Sequence, residues 1–211
     1  MAHNYINRKK KKNMKKSLFF ILALSCVCMY ASESTYTSSV KNLYETADSS
    51  KSKGRLLPTS EIKVLEKEGD KIKIELEGYM KDGVDSAVYF SVGKRILIAG
   101  LSKSGNFDFK TISTSKDEEG IEWKKVSFTA YTKNDNLTDD LDALYKSAQT
   151  IFTNNCAICH PAHGTHEYTA NQWPSIVKSM ITRTAMTKEE NYLVTQYLQK
   201  HASDIEKGES K

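Results

Sequence analysis

Residues 156–160 read Cys-Ala-Ile-Cys-His. Two thiols three positions apart, followed at once by an imidazole, suit three kinds of chemistry: metal binding through sulfur and nitrogen, disulfide exchange, or covalent haem attachment. For haem the spacing has a physical reason. Thiols at this separation reach the two vinyl groups of one porphyrin, and the next residue is set beneath the iron, where imidazole nitrogen is a strong ligand. Cys156 and Cys159 are then the thioether sites of one covalent haem c, and His160 is its proximal ligand. The alternatives fit less of the sequence. A redox pair belongs at a helix start after a strand, in a βαβ setting that is not visible here. A zinc site needs a fourth ligand, for which His163 or His166 is available.

The other face of the iron has five candidates after His160: Met180, Met186, His163, His166 and His201. Met180 shares a helical face with Trp173, Ile176 and Val177, so that face is expected to lie on the haem, with Trp173 as its largest packing element. Met186 immediately precedes a helix cap and stays open as a ligand from a loop. His163 and His166 stand too near the attachment loop to cross the ring and read as rim residues. His201 ends the last helix and reads as a C-terminal cation.

These residues need helices to position them. Thr138 is a good N-cap, with Asp139 and Asp140 in the first turn. Leu141, Leu144, Tyr145, Ala148, Ile151 and Phe152 then recur at steps of three and four and end just before Cys156. A second helix is expected from about Asn171 to Thr182. A third starts at Thr187, which has capping-box spacing to Glu190 and an apolar face of Tyr192, Leu193, Tyr197 and Leu198. Residues 135–203 therefore read as a compact three-helix haem domain, small enough to need a cofactor for stability.

Upstream the period is two. Ile72, Ile74 and Leu76 alternate with Lys and Glu after a turn at Gly69-Asp70, and "AVYFSV", "RILIAGL" and the weaker "NFDFKTI" follow. "EEGIEWKKVSFTAYT" closes the region, with Trp123, Val126, Phe128 and Ala130 as inward candidates. Residues 57–134 thus predict a small barrel. Residues 32–56, rich in Ser, Thr and Lys without a period, read as a linker or poorly ordered arm.

The formal net charge of the 211 residues is +5. It is concentrated in residues 1–31, which carry seven basic residues and no acid, leaving 24 basic against 26 acidic residues in the remainder. A phosphate-binding groove is not supported. The basic run ending at Lys16 and the apolar "SLFFILALSCVCMYA" form a secretory signal, with cleavage after Ala31, so the protein is expected in the periplasm. An uncleaved anchor, or lipidation at Cys26, is the alternative. Beyond residue 31 only Cys156 and Cys159 remain, too few for a disulfide scaffold or a four-Cys zinc site.

"VLEKEGDKIKIELEGY" resembles the opening hairpin of bacterial SH3-like domains. Together with "GKRILIAGL", "WKKVSFTAYT", "CAICH", "YTANQW", "KSM" and "YLQKHA", it also resembles the C-terminal part of pentahaem cytochromes of the TorC type. The resemblance implies an α+β chain: a small SH3-like β-barrel (57–134), then a small all-α cytochrome c-type haem domain (135–203), with a tail at 204–211. In that family this part takes electrons from an upstream tetrahaem module. The family is membrane-anchored and quinol-linked, and it serves a periplasmic molybdenum reductase of trimethylamine N-oxide. By position, Cys156 and Cys159 would be the thioether sites, His160 the proximal ligand, and Met180, in "KSM", the Met that the family keeps. No tetrahaem segment precedes the motif here. The expectation is a free-standing monohaem carrier, supplied by a separate membrane-anchored quinol-linked cytochrome and donating to a molybdenum reductase.

Three functions follow for comparison. An electron carrier predicts a six-coordinate iron, and a haem-based sensor predicts an open or labile sixth position. A cell-wall-binding protein predicts a groove of exposed aromatics, for which Tyr79, Tyr89 and Trp123 are the candidates. Neither paired carboxylates nor a nucleophile constellation accompanies the motif, so an electron carrier rather than an enzyme is expected.

Overall fold

β5 (Lys71–Lys81) organises the chain, whose computed structural model describes residues 34–205. Ile72, Ile74, Leu76, Gly78 and Met80 alternate along it and all face a buried core. The hairpin from β4 (Glu61–Glu68) turns at Gly69, whose φ of +62° is open to glycine at little cost. One edge of β5 pairs throughout with β9 (Glu122–Lys133), from Lys71↔Lys133 to Lys81↔Trp123. The other edge is shared. β4 takes Lys71–Glu75, and β6 (Ala87–Ser91) takes Tyr79. The exchange of partner falls at Gly78, where a Cβ would lie 2.5 Å from Val88 Cγ1 and 2.9 Å from the Tyr89 carbonyl oxygen. Only glycine lets β6 come this close.

From β6 the sheet runs on through β7 (Lys94–Leu101), β3 (Gly54–Leu56) and β2 (Lys41–Leu43). β8 (Phe109–Lys116) lies on the outer edge of β9, while β1 (Thr35–Thr37) and β10 (Leu137–Thr138) extend β4. The sheet curls into a half-barrel. At its seam Tyr44 and Tyr131 exchange two backbone hydrogen bonds of 2.8 Å each. Val126, Phe128 and Ala130 of β9 are buried on the face they share with Leu76 and Ile74, as the alternation predicts, whereas Trp123, an odd number of residues away and paired with Lys81, is buried on the other face.

Three α-helices follow: α1 (Leu141–Cys156), α2 (Trp173–Met180) and α3 (Lys188–Lys200). Single 3-10 turns occupy Thr165–Glu167 and Ile181–Arg183. The cap of α1 is Asp140, whose side chain accepts from the Ala143 N–H, and not Thr138, which belongs to β10. The Thr187–Glu190 capping box of α3 forms as expected.

The expected fold class, an SH3-like barrel followed by a separate all-α haem domain, is not what the chain adopts. It is mostly β-sheet, and Ser32–Lys211 forms one unit. The helices share one buried cluster, but the sheet contributes to it. Ile96 of β7 is fully buried among Tyr145, Phe152, Trp173 and Leu198, while Ile98, two residues along the same strand face, belongs to the sheet's own core. Half-buried Phe90 of β6 packs against both clusters.

Polar side chains of α3 add a second bond between the layers. Gln196 donates to the Leu97 carbonyl (2.8 Å), Gln199 to that of Arg95 (3.3 Å), and Lys200 to that of Thr59 (2.8 Å). Buried donors seek acceptors, and these find them on β7 and on the turn before β4, with Gln199 donating also to the Ala170 carbonyl. Residues 32–56 also depart from the linker expectation. They carry three short strands and the fully buried Leu43 and Leu56. The expected signal at 1–31 and nearly all of the tail at 204–211 lie outside the described residues.

Candidate haem site

Cys156 is the last residue of α1. The helix reaches it because Tyr145, Ala148 and Phe152, on one stripe, bury against the other helices and β7. The backbone N–H of Ala157 closes the last turn on the Thr153 carbonyl, and Asn155 Nδ2 donates to the Ile151 carbonyl (2.9 Å). The chain then leaves the helix with Cys159 and His160 exposed and Cys156 half-buried, both cysteines being free thiols.

Burial raises the Cys156 thiol above its ordinary pKa. A redox-active thiolate needs the opposite setting, at a helix N-terminus, where the dipole stabilises negative charge. Position and environment both argue against the disulfide-exchange alternative. Among the described residues no three His, Cys, Asp or Glu side chains are placed to hold a metal ion directly, although Cys156, Cys159, His160 and His163 line one cleft.

His160 Nδ1 lies 2.8 Å from the Pro161 carbonyl oxygen. A carbonyl can only accept, so Nδ1 is the donor in this contact, and in the neutral ring Nε2 is then the nitrogen left with a lone pair. That is the tautomer a ligating histidine needs, held by the kind of outer partner that orients metal ligands.

Facing this segment is α2. Trp173, with Pro174 behind it in the first turn, opens the helix and is buried. Its indole N–H donates to the Thr165 carbonyl (3.0 Å), and its ring meets Phe152 and Tyr168 edge-on. Met180 ends the helix. Between the two segments is a mainly apolar cleft lined by Cys156, Cys159, His160, Trp173 and Met180, all five of the expected site residues. Phe152, Ile176 and Val177 complete its apolar walls. Two thiols, an imidazole, a thioether and apolar walls around one cleft are the donor set and surroundings that a covalent haem requires.

Met186 also lines this cleft, but it packs against the helical core cluster, which Met180 does not join. His163, half-buried, lines the cleft with its ring 5.5 Å from that of His160 and its Nδ1 2.6 Å from Glu167 Oε2. The Gly164 N–H, and then His163, hold that carboxyl below its usual range. His166 is exposed. His201 is away from the cleft at the C-cap of α3, where its Nδ1 bonds the Tyr197 carbonyl and its ring meets Tyr145 edge-on at 4.6 Å. Burial lowers its pKa, so it is not the cation that its place at a helix end suggests. Of the three aromatics that cell-wall binding would use, Tyr79 and Tyr89 are half-buried. Trp123 is buried, donating to Asp117 Oδ2 (2.8 Å) and meeting Tyr89 edge-on, and Tyr79 and Tyr89 are paired across strands.

A family model described as the TorC third cytochrome c domain matches residues 30–137, half of the chain. The chain belongs to the TorC third cytochrome c domain family. The matched stretch is the β-rich part that supports the helices, and the cleft lies beyond it. Curated relatives reach further. The cytochrome c-type protein TorC of Escherichia coli K12 is 30% identical over 174 residues, 82% of this chain and 45% of the relative. The cytochrome c-type protein TorY of Haemophilus influenzae is 33% identical over 154 residues, 72% of this chain and 42% of the relative. A contiguous 82% of 211 residues necessarily runs through Cys156–His160. The chain spans less than half the length of these relatives. No solved structure matches it. Membership of a cytochrome c family implies covalently bound haem c.

Proposed function

We propose that this chain is an electron carrier, not an enzyme, holding one haem c between the Cys156–His160 loop and α2. The observation that carries the reading is that Cys156, Cys159, His160 and Met180 line one mainly apolar cleft. Haem c, when bound, supplies a one-electron couple at its iron. The chain's residues do the rest. Cys156 and Cys159 bond the porphyrin, and His160 offers Nε2 while the Pro161 carbonyl holds its other nitrogen. Met180 offers its sulfur from the end of α2, and a thioether ligand raises the reduction potential relative to a second histidine. Phe152, Trp173, Ile176 and Val177 keep water out. This favours the state of lower charge and limits the reorganisation that accompanies electron transfer.

The likeness to TorC and TorY supports a place in the trimethylamine N-oxide reductase system. In this reading a membrane-anchored quinol-linked cytochrome is the donor, and a periplasmic molybdenum reductase of N- or S-oxides is the acceptor. The basic and apolar residues at 1–31 support export as a signal. Among the described residues no helix is long and apolar enough to cross a membrane.

The test is spectroscopic. The exported protein should carry one thioether-linked haem with a low-spin ferrous spectrum that carbon monoxide leaves unchanged, and a methionine-to-iron charge-transfer band when oxidised. Met180→Ala should abolish that band and open the iron to carbon monoxide. Survival of the band would remove Met180 as the ligand. A high-spin ferrous wild type that takes carbon monoxide would make the protein a ligand binder instead.

A further inference from the structure

Five side chains lining the cleft are polar: Asn155, His160, His163, Arg183 and Thr184. Four are already engaged. Asn155 Nδ2 donates to Ile151, His160 Nδ1 to Pro161, and Thr184 Oγ1 to the Ile181 carbonyl, while His163 Nδ1 faces Glu167. Arg183 is the exception. Among the described residues it makes neither an ion pair with a carboxylate nor a side-chain hydrogen bond. It is also the cleft's one permanent charge, set at the end of the 3-10 turn Ile181–Arg183 directly after α2. Lys178 and Lys188, the neighbouring cations in sequence, do not line the cleft.

Arg183 is exposed, so water can meet its guanidinium, but its planar fork of N–H donors at this cleft also suits a carboxylate. Haem carries two such groups, its propionates, on the porphyrin edge opposite its vinyl substituents. The vinyl edge is committed to Cys156 and Cys159 at the end of α1. The propionate edge must therefore be met by residues of another element, and Arg183 belongs to one.

We propose that Arg183 anchors a haem propionate and, by neutralising it, sets the reduction potential upward. This rests on the haem reading above. Ferric iron carries one more positive charge than ferrous iron, so a propionate left unpaired near it stabilises the ferric state and lowers the potential. Arg183 is thus a positioning and tuning residue that does not touch the iron.

The experiment uses the whole exported chain and first checks haem attachment by haem staining after denaturing electrophoresis. A wild type without attached haem would sink the haem reading itself. In haem-loaded protein, two quantities are measured for Arg183→Gln, Arg183→Lys and the control Lys178→Gln: the propionate-bending band in resonance Raman, and the midpoint potential. Arg183→Gln should move the band and lower the potential. Arg183→Lys should move the band, because the two-pronged contact is lost, yet keep the potential near wild type, because the charge stays. Lys178→Gln should leave the band in place. An unmoved band in Arg183→Gln overturns the proposal. Should that variant fail to attach haem, an unmoved band in Arg183→Lys overturns it equally.

Discussion

Lys200 is a buried amine, with its Nζ 2.8 Å from the Thr59 carbonyl oxygen and 4.5 Å from the centre of the Phe90 ring. Burial pushes its pKa down to about 7, against a weaker upward pull from Glu61. The unfolded chain keeps the proton to about pH 10.4. Between the two values the unfolded state holds more protons than the folded one, so stability must rise with pH there, by up to about 1.4 kcal/mol per unit. Below about pH 7 both states are charged, the full cost of burying the ammonium is present, and this contribution is flat. Urea unfolding of wild type between pH 7 and 10 should therefore show a rising midpoint that Lys200→Met lacks. Parallel profiles for the two proteins would mean that the amine is charged in both states. Thr59, which supplies the carbonyl, sits at a φ of +62°, uncommon for a β-branched residue.

The helices act as elements with separate tasks. α1 delivers Cys156 at its C-terminal end, and α2 presents Trp173 at its start and Met180 at its finish. α3 does not line the cleft but clamps the helical layer to the sheet. Its start depends on Thr187 and Glu190, whose side chains bond each other's backbone N–H at 3.2 Å and 2.7 Å. Thr187→Ala should lower stability by about 1 kcal/mol, seen as a lower urea midpoint. Because Met186 is the preceding residue and packs on the same core, amide exchange near the cleft's rim should also quicken. A change confined to the global midpoint would show that the α3 cap and the rim are not coupled.

The whole molecule behaves as one unit from Ser32 onward. Ile96 of the sheet is buried within the helical cluster and Phe90 packs against it, while two α3 side chains terminate on β7 carbonyls and a third on the turn before β4. Excised residues 135–205 would expose that apolar face and leave buried donors without acceptors. That fragment should show no cooperative thermal transition, whereas residues 32–205 should unfold in a single step. Cooperative melting of the short fragment would restore the autonomous helical domain that the local sequence suggests.

The sequence by itself determined what short-range chemistry records. Cys156, Cys159 and His160 are contiguous, so their joint role is readable without a fold. The Gly69-Asp70 hairpin, the alternation along β5 and β9, and the Thr187–Glu190 box are likewise local patterns of period or capping. The tertiary structure alone decided the rest, because those contacts join residues far apart in the chain. β1, β2 and β3 are three residues each, too short to show a period, and exist because neighbouring strands pair with them. Gln196, Gln199 and Lys200 read as the solvated side of α3, yet they are buried, Lys200 against a carbonyl 141 residues away. The cleft is the same case. Met180 is nominated by its helical face, but Arg183 becomes meaningful only when the turn after α2 lies beside Cys156 and His160.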